Sequence, residues 1–129
     1  MRFVPICVGT LHLPTLLDLG TAVGEAIRED GGEILVVISS DMSHYVPVAE
    51  ARLQDRKAID RLLALDPEGL HRVVTEEEIS MCGIAPTVAG LAAARQLGAS
   101  AARLVAYATS GDRTGDFQSV VGYAGVAVT

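Results

Sequence analysis

Tryptophan is absent from this 129-residue sequence, and the aromatic share is only 4%. A core without large rings has to be assembled from Val, Ile, Leu and Ala, which suits buried aliphatic strands and the helices that cover them. Lysine is nearly missing too: Lys57 is the single lysine among ten basic residues, which face sixteen acidic ones for a formal charge of −6. Nucleic-acid binding depends on neutralising phosphate, so this balance argues against it, and equally against docking on an anionic bilayer. There are only two cysteines, Cys7 and Cys82, far apart in sequence. They do not make a disulfide framework, and a reducing cytoplasm is the simplest setting. No segment has the length of a membrane span, and Pro5, His12 and Pro14 interrupt the N-terminal stretch that otherwise imitates a signal peptide. The length allows one domain with one core, covering residues 1–129.

What is present reads as α/β. Phe3 to Val8 is a short apolar run ending at Gly9, and Ile34 to Ile38 is an unbroken aliphatic one; both suit strands buried on two faces. Between them, Leu16, Leu19, Val23, Ala26 and Ile27 recur at helical spacing up to Gly31-Gly32, loosened by Gly20 and Gly24. Strand, helix, strand predicts a right-handed βαβ unit and a mostly parallel sheet in a three-layer fold. A second helix is expected from Val48 to Leu65 with Leu53, Ile59, Leu62 and Leu63 inward, and a shorter piece through Leu70 and Val74. Thr75-Glu76-Glu77-Glu78 has capping-box spacing and predicts a helix start in water rather than a metal site. Gly83-Ile84-Ala85-Pro86 opens an alanine-rich helix closed by Gly98. Leu104 to Ala108 and Val120 to Val128 are the last strands; with no room for a helix between them, they should pair antiparallel or be joined by a wide loop.

In an open α/β sheet, polar residues that follow the strands collect at one rim, where ligands bind. That places Thr10, His12, the cluster Ser39-Ser40-Asp41-Met42-Ser43-His44-Tyr45, Thr109, Ser110, Asp112 and Arg113 together, with Cys82 just before a helix N-terminus. His44 with Asp41 is a candidate acid/base pair; alternatively Asp41 or Ser43 caps the helix after Pro47 and His44 is a hydrogen-bonded loop residue. Cys82 is a candidate metal ligand or nucleophile, because the positive end of a helix favours thiolate, or else a small buried hydrophobe. Cys7 reads as a hydrophobe inside its strand and His71 as a residue at a solvated helix end. One His and one Cys fall short of the three protein ligands a catalytic metal usually has.

The phrases Val4-Pro-Ile-Cys-Val-Gly9, Ser39-Ser-Asp-Met-Ser-His-Tyr45, Leu63-Ala-Leu-Asp-Pro-Glu-Gly69, Met81-Cys-Gly-Ile-Ala-Pro86, Tyr107-Ala-Thr-Ser-Gly-Asp112 and Val121-Gly-Tyr-Ala-Gly125 resemble the Memo family. Its prokaryotic members are called AmmeMemoRadiSam system protein B. The resemblance implies that the chain corresponds to the C-terminal half of a protein about twice as long, with a fold similar to class III extradiol dioxygenases. It implies Cys82 at the metal position, His44 in the acid/base position and Asp41 beside it. Two metal-binding histidines are expected in the other half, and His12 is assigned to neither. Ferrous iron is the expected metal, with copper or zinc as alternatives, in a metal-dependent redox or dioxygenase-like site. The alternative function is a binding adaptor for a phosphopeptide or other anion, with Arg113 as a contact; a Cys82 hydrolase with His44 as base is a third. Expected partners are the N-terminal half or a second chain, AMMECR-like and radical-SAM proteins, with a homo-oligomer left open.

Overall fold

The computed structural model describes residues 3–129. In chain order the elements are α1 (Leu13–Asp30), β1 (His44–Val46), α2 (Val48–Leu63), α3 (Pro67–Glu76), α4 (Ile84–Gln96), β2 (Ala102–Thr109), α5 (Gly111–Thr114) and β3 (Val120–Val128). The three strands form a sheet in the order β1-β3-β2, and both pairings are antiparallel. β2 and β3 run in register from Ala102 opposite Val128 to Thr109 opposite Gly122, with a bulge between Leu104 and Ala106. The expected antiparallel pairing of the last two strands is therefore present. The ten-residue loop between them folds its first half into α5, a helical turn the sequence pattern did not suggest.

Helix packing makes the core. α1 buries Leu16, Gly20 and Gly24, one residue per turn on a single face, rather than the broader apolar face its spacing suggested. These glycines bring α1 onto α4 rather than loosening it. A Cβ on Gly20 would stand 2.4 Å from the Ala89 carbonyl oxygen and 2.5 Å from Ala92 Cβ, so only glycine allows this approach. Leu16, Ile59, Leu62, Leu70, Val74 and Val88 meet in the interior. α2 faces inward with Ala51, Asp55, Ala58, Ile59 and Leu62, a 4-3-1-3 spacing; Leu53, expected inside, is 62% exposed because it stands about 200° round the helix from both Ala51 and Asp55.

Three other expectations are corrected. Thr75-Glu76-Glu77-Glu78 ends a helix instead of starting one: the Thr75 hydroxyl donates back to the His71 carbonyl (2.7 Å), and Glu78 turns the chain at φ 51°. The chain then dips inward at Ile79 and Met81, leaving no room for another helix before α4. His71 lies in mid-α3, where its Nε2 is 2.7 Å from the Leu11 carbonyl oxygen, tying the segment before α1 to this helix. Most consequential, neither Phe3–Val8 nor Ile34–Ile38 is in a strand, so the predicted parallel βαβ unit and its layers are not formed. Both runs are apolar on both faces, and the described residues offer neither of them a partner strand or a covering layer. Cys7 is accordingly exposed, not buried in a strand. Among the described residues no helix is long and apolar enough to cross a membrane.

Candidate metal centre

Three side chains from two loops converge where the segment 39–44 meets the start of α4. Asp41, His44 and Cys82 each offer one ligand atom, and these atoms lie within 4.8 Å of one another. His44 Nε2 is 3.6 Å from Asp41 Oδ2. The edge of a tetrahedral site with bonds of about 2.1 Å is roughly 3.4 Å, so this pair already stands close to ligand spacing. Asp41 and His44 are partly buried and Cys82 is exposed, so the group opens to solvent.

Each ligand is held by a separate device. His44 Nδ1 stands 2.6 Å from the Ser80 carbonyl oxygen, which can only accept, so Nδ1 carries the proton and donates it. In the neutral ring this leaves the Nε2 lone pair facing Asp41 and Cys82, the tautomer in which a metal-ligating histidine is normally fixed. The His44 backbone N–H also donates to Ser80 Oγ at 2.7 Å. Ser80 was not singled out in the sequence, since a backbone carbonyl leaves no signature there.

Cys82 is clamped against Asp41. The Asp41 backbone N–H donates to Cys82 Sγ at 3.1 Å. The Gly83 N–H donates to Ser40 Oγ at 2.9 Å, and the Ser40 hydroxyl donates onward to the Asp41 carbonyl at 2.7 Å. A side chain at position 83 would stand 2.4 Å from Ser40 Cβ and 2.5 Å from the Ser39 carbonyl oxygen. The Cys-Gly pair is thus one unit: the glycine allows the contact and the cysteine projects from it.

His44 is rooted on the opposite side. β1 pairs with β3 through His44 opposite Val121 and Val46 opposite Val120, so Tyr45 is an extra residue, bulged out at φ 59° and 79% exposed. A non-glycine residue in this region costs on the order of 1 kcal/mol and persists only where its neighbours are pinned. Ser43 supplies the pin. Its N–H and hydroxyl donate to Asp55 Oδ1 at 2.8 and 2.6 Å, and Tyr107 OH donates to Asp55 Oδ2 at 2.6 Å. Asp55 and Ser43 are fully buried. Burial, and then the bond to Asp55, hold the Tyr107 phenol far above its ordinary range. Asp55 was missed in the sequence because an acidic residue in a charged amphipathic helix reads as part of its solvated face.

The remaining rim candidates do not join the group. His12 stands at the residue before α1 and its ring is 2.9 Å from Thr15 Oγ1, without a bond to the helix backbone. Asp112 accepts from Thr109 N–H and Oγ1 at 2.7 and 3.1 Å, closing the turn after β2; those bonds hold its carboxyl below the usual range. Ser110 Oγ accepts from Val121 N–H, and Arg113 is exposed on α5.

Residues 1–127 match the family model described as Memo-like protein. The MEMO1 family protein of Methanopyrus kandleri is 42% identical over 125 residues, 97% of this chain and 44% of that protein. That of Methanothermobacter thermautotrophicus is 46% identical over 123 residues, 95% and 44% respectively, and that of Aquifex aeolicus 41% over 125 residues, 97% and 46%. The chain thus spans a little under half the length of these relatives. With a family match over nearly its whole length and identities above two in five, the chain belongs to the Memo-like protein family.

Proposed function

We propose that Asp41, His44 and Cys82 hold a transition-metal ion and that the chain contributes this centre to a metal-dependent redox or dioxygenase-like site. The observation that carries the reading is the convergence of three ligand atoms within 4.8 Å. With His44 Nδ1–H committed to Ser80, the neutral imidazole, the carboxylate and the sulfur present electron pairs to a common space. A cation is what such a set best accommodates. Mixed thiolate, imidazole and carboxylate donors suit ferrous iron, copper or zinc over magnesium or calcium.

A bound ion would supply Lewis acidity and, if iron or copper, a redox couple. The chain's own residues orient and tune it. Ser80 aims the imidazole, Gly83 and Ser40 fix the distance of Cys82 from Asp41, and the exposure of Cys82 leaves an approach open to a further ligand or substrate. The family's other half is where additional ligands would come from.

The test is anaerobic titration of metal-free protein with Fe(II), Cu(I), Zn(II) and, as an optical probe, Co(II). One equivalent should bind, with a thiolate-to-cobalt charge-transfer band that disappears in Cys82→Ala. His44→Ala and Asp41→Ala should each weaken affinity by about tenfold or more. Unchanged stoichiometry and affinity in Cys82→Ala would remove the proposed centre.

A further inference from the structure

Only Met42 and Ser43 separate Asp41 from His44 in the chain, so the conformation of these two residues sets how far apart the two ligand atoms stand. Both are held by one residue of β3. The Met42 N–H donates to the Gly122 carbonyl at 2.9 Å, and the Gly122 N–H donates to the Ser43 carbonyl at 2.9 Å. Two residues of the segment 39–44 thus share a single partner on the strand, next to the point where His44 pairs with Val121. Met42 and Ser43 are both buried, and a close-packed interior leaves them little room to readjust.

Gly122 is buried and is not one of the glycines with positive φ, so what it supplies is space rather than a special backbone conformation. A Cβ there would stand 2.0 Å from Asp55 Oδ2 and 3.2 Å from Met42 Cβ. Oδ2 is the oxygen that accepts from Tyr107, while Oδ1 takes both donors of Ser43. The carboxylate can therefore lie against β3 and grip Ser43 only because position 122 carries no side chain. A buried carboxylate is unfavourable unless it is well bonded, and two of the three bonds it accepts here come from the residue next to His44.

We propose that Gly122 and Asp55 are positioning residues of the metal centre, acting through the Met42–Ser43 backbone to hold His44 at ligand distance from Asp41. Ser80 aims the imidazole ring; Gly122 and Asp55 fix the backbone from which the ring projects. Cys82 projects from the start of α4, on the other side of the group, and does not take its place from this clamp. The inference rests on the metal reading given above and adds to it the residues that set the separation of two of the ligands.

The experiment titrates the metal-free 129-residue chain with Co(II) as wild type, Gly122→Ala, His44→Ala and the double variant. In Gly122→Ala the affinity should fall about tenfold and the visible ligand-field bands of cobalt should change, while the thiolate-to-cobalt charge-transfer band of Cys82 persists. In the His44→Ala background the same substitution should alter affinity by no more than about twofold, because the ligand through which it acts is already gone. Asp55→Asn keeps the shape but exchanges charge-assisted bonds for neutral ones; it should show the same pattern with a smaller loss, and it completes the cycle if Gly122→Ala does not fold. Equal losses of affinity with and without His44 would mean that the two residues support only the fold, and would overturn the proposal; so would wild-type affinity and spectra in both single variants. Failure of the wild type itself to bind cobalt would be a different result, removing the metal reading and the positioning role with it.

Discussion

Leu70 and Leu35 are the same side chain in two kinds of surroundings. Leu70, on α3, is fully buried among the helices, whereas Leu35 is 85% exposed in an aliphatic run with no partner. The contrast extends to whole regions. On one side, α2, α3, α4 and the antiparallel sheet enclose a core whose buried side-chain polar atoms, among the described residues, all have hydrogen-bond partners. On the other, Phe3–Val8 and Ile34–Ile38 carry equally hydrophobic sequence that nothing covers. Hydrophobicity thus does not by itself bury a residue; burial takes a second layer, and only the first region has one. The candidate metal centre stands at the seam: His44 is rooted in the closed region through Ser43 and Asp55, and Asp41 with Cys82 sits where the open run reaches α4.

The sharpest way to break this comparison is to empty the closed region of its one buried carboxylate. Asp55→Ala leaves the Ser43 N–H, the Ser43 hydroxyl and the Tyr107 hydroxyl without their acceptor. Unsatisfied buried donors cost about 1–3 kcal/mol each, so a loss of about 4 kcal/mol is expected in urea unfolding. Asp55→Asn, which keeps the shape and accepts through one oxygen, should lose less. If both variants unfolded like wild type, the anchoring of the His44 arm would have to lie elsewhere.

The two leucines give the next effect directly. Leu70→Ala should cost about 3 kcal/mol through lost burial and the cavity left behind. Leu35→Ala should change stability by no more than about 0.5 kcal/mol in the chain alone. Equal losses at both sites would mean that the exposed run packs in solution and that the regions do not differ as described.

How much of this was legible in the sequence follows the same division. Helix α4, strands β2 and β3 and their antiparallel pairing were readable, because periodicity and turn residues act locally and their partners lie within the chain. The short β1, with its bulge at Tyr45, was not, since a three-residue strand has no period to detect. Phe3–Val8 and Ile34–Ile38 carry the strongest strand composition and form none, because composition reports a preference for cover that the described residues do not supply. Asp41, His44 and Cys82 were each recognised and expected at one rim, but the direct bond from the Asp41 N–H to Cys82 was not, because it spans 41 residues. Asp55 and Ser80 were invisible for the reasons already given: one looks like helix surface and the other acts through its backbone.

Titration sharpens the comparison at a smaller scale. Tyr107 belongs to the closed region, and its phenol is raised by burial and by Asp55. A raised phenol stabilises the fold fully at any pH below its unfolded value, about 10, and loses that contribution as pH rises from there toward the folded value. Wild type should therefore weaken as pH rises above about 10, while Tyr107→Phe, already missing the bond to Asp55, declines less steeply. Identical alkaline slopes for the two proteins in denaturant titrations would place the phenol in solvent.

Asp112 is the exposed counterpart, just past the end of the same strand, and its carboxyl is lowered by the Thr109 N–H and hydroxyl. A lowered carboxyl works in the opposite direction: its contribution is present above the unfolded value near 4 and is lost as pH falls through the lower folded one. Because the group is open to water and its nearest cation, Arg52, stands 4.0 Å away on the surface, the effect should be the smallest of the four. Asp112→Asn should flatten the acid limb of the stability profile below pH 4 and leave the alkaline limb untouched; a change on the alkaline side would mean that the turn after β2 and the Tyr107–Asp55 bond respond as one unit rather than as separate ends of the strand.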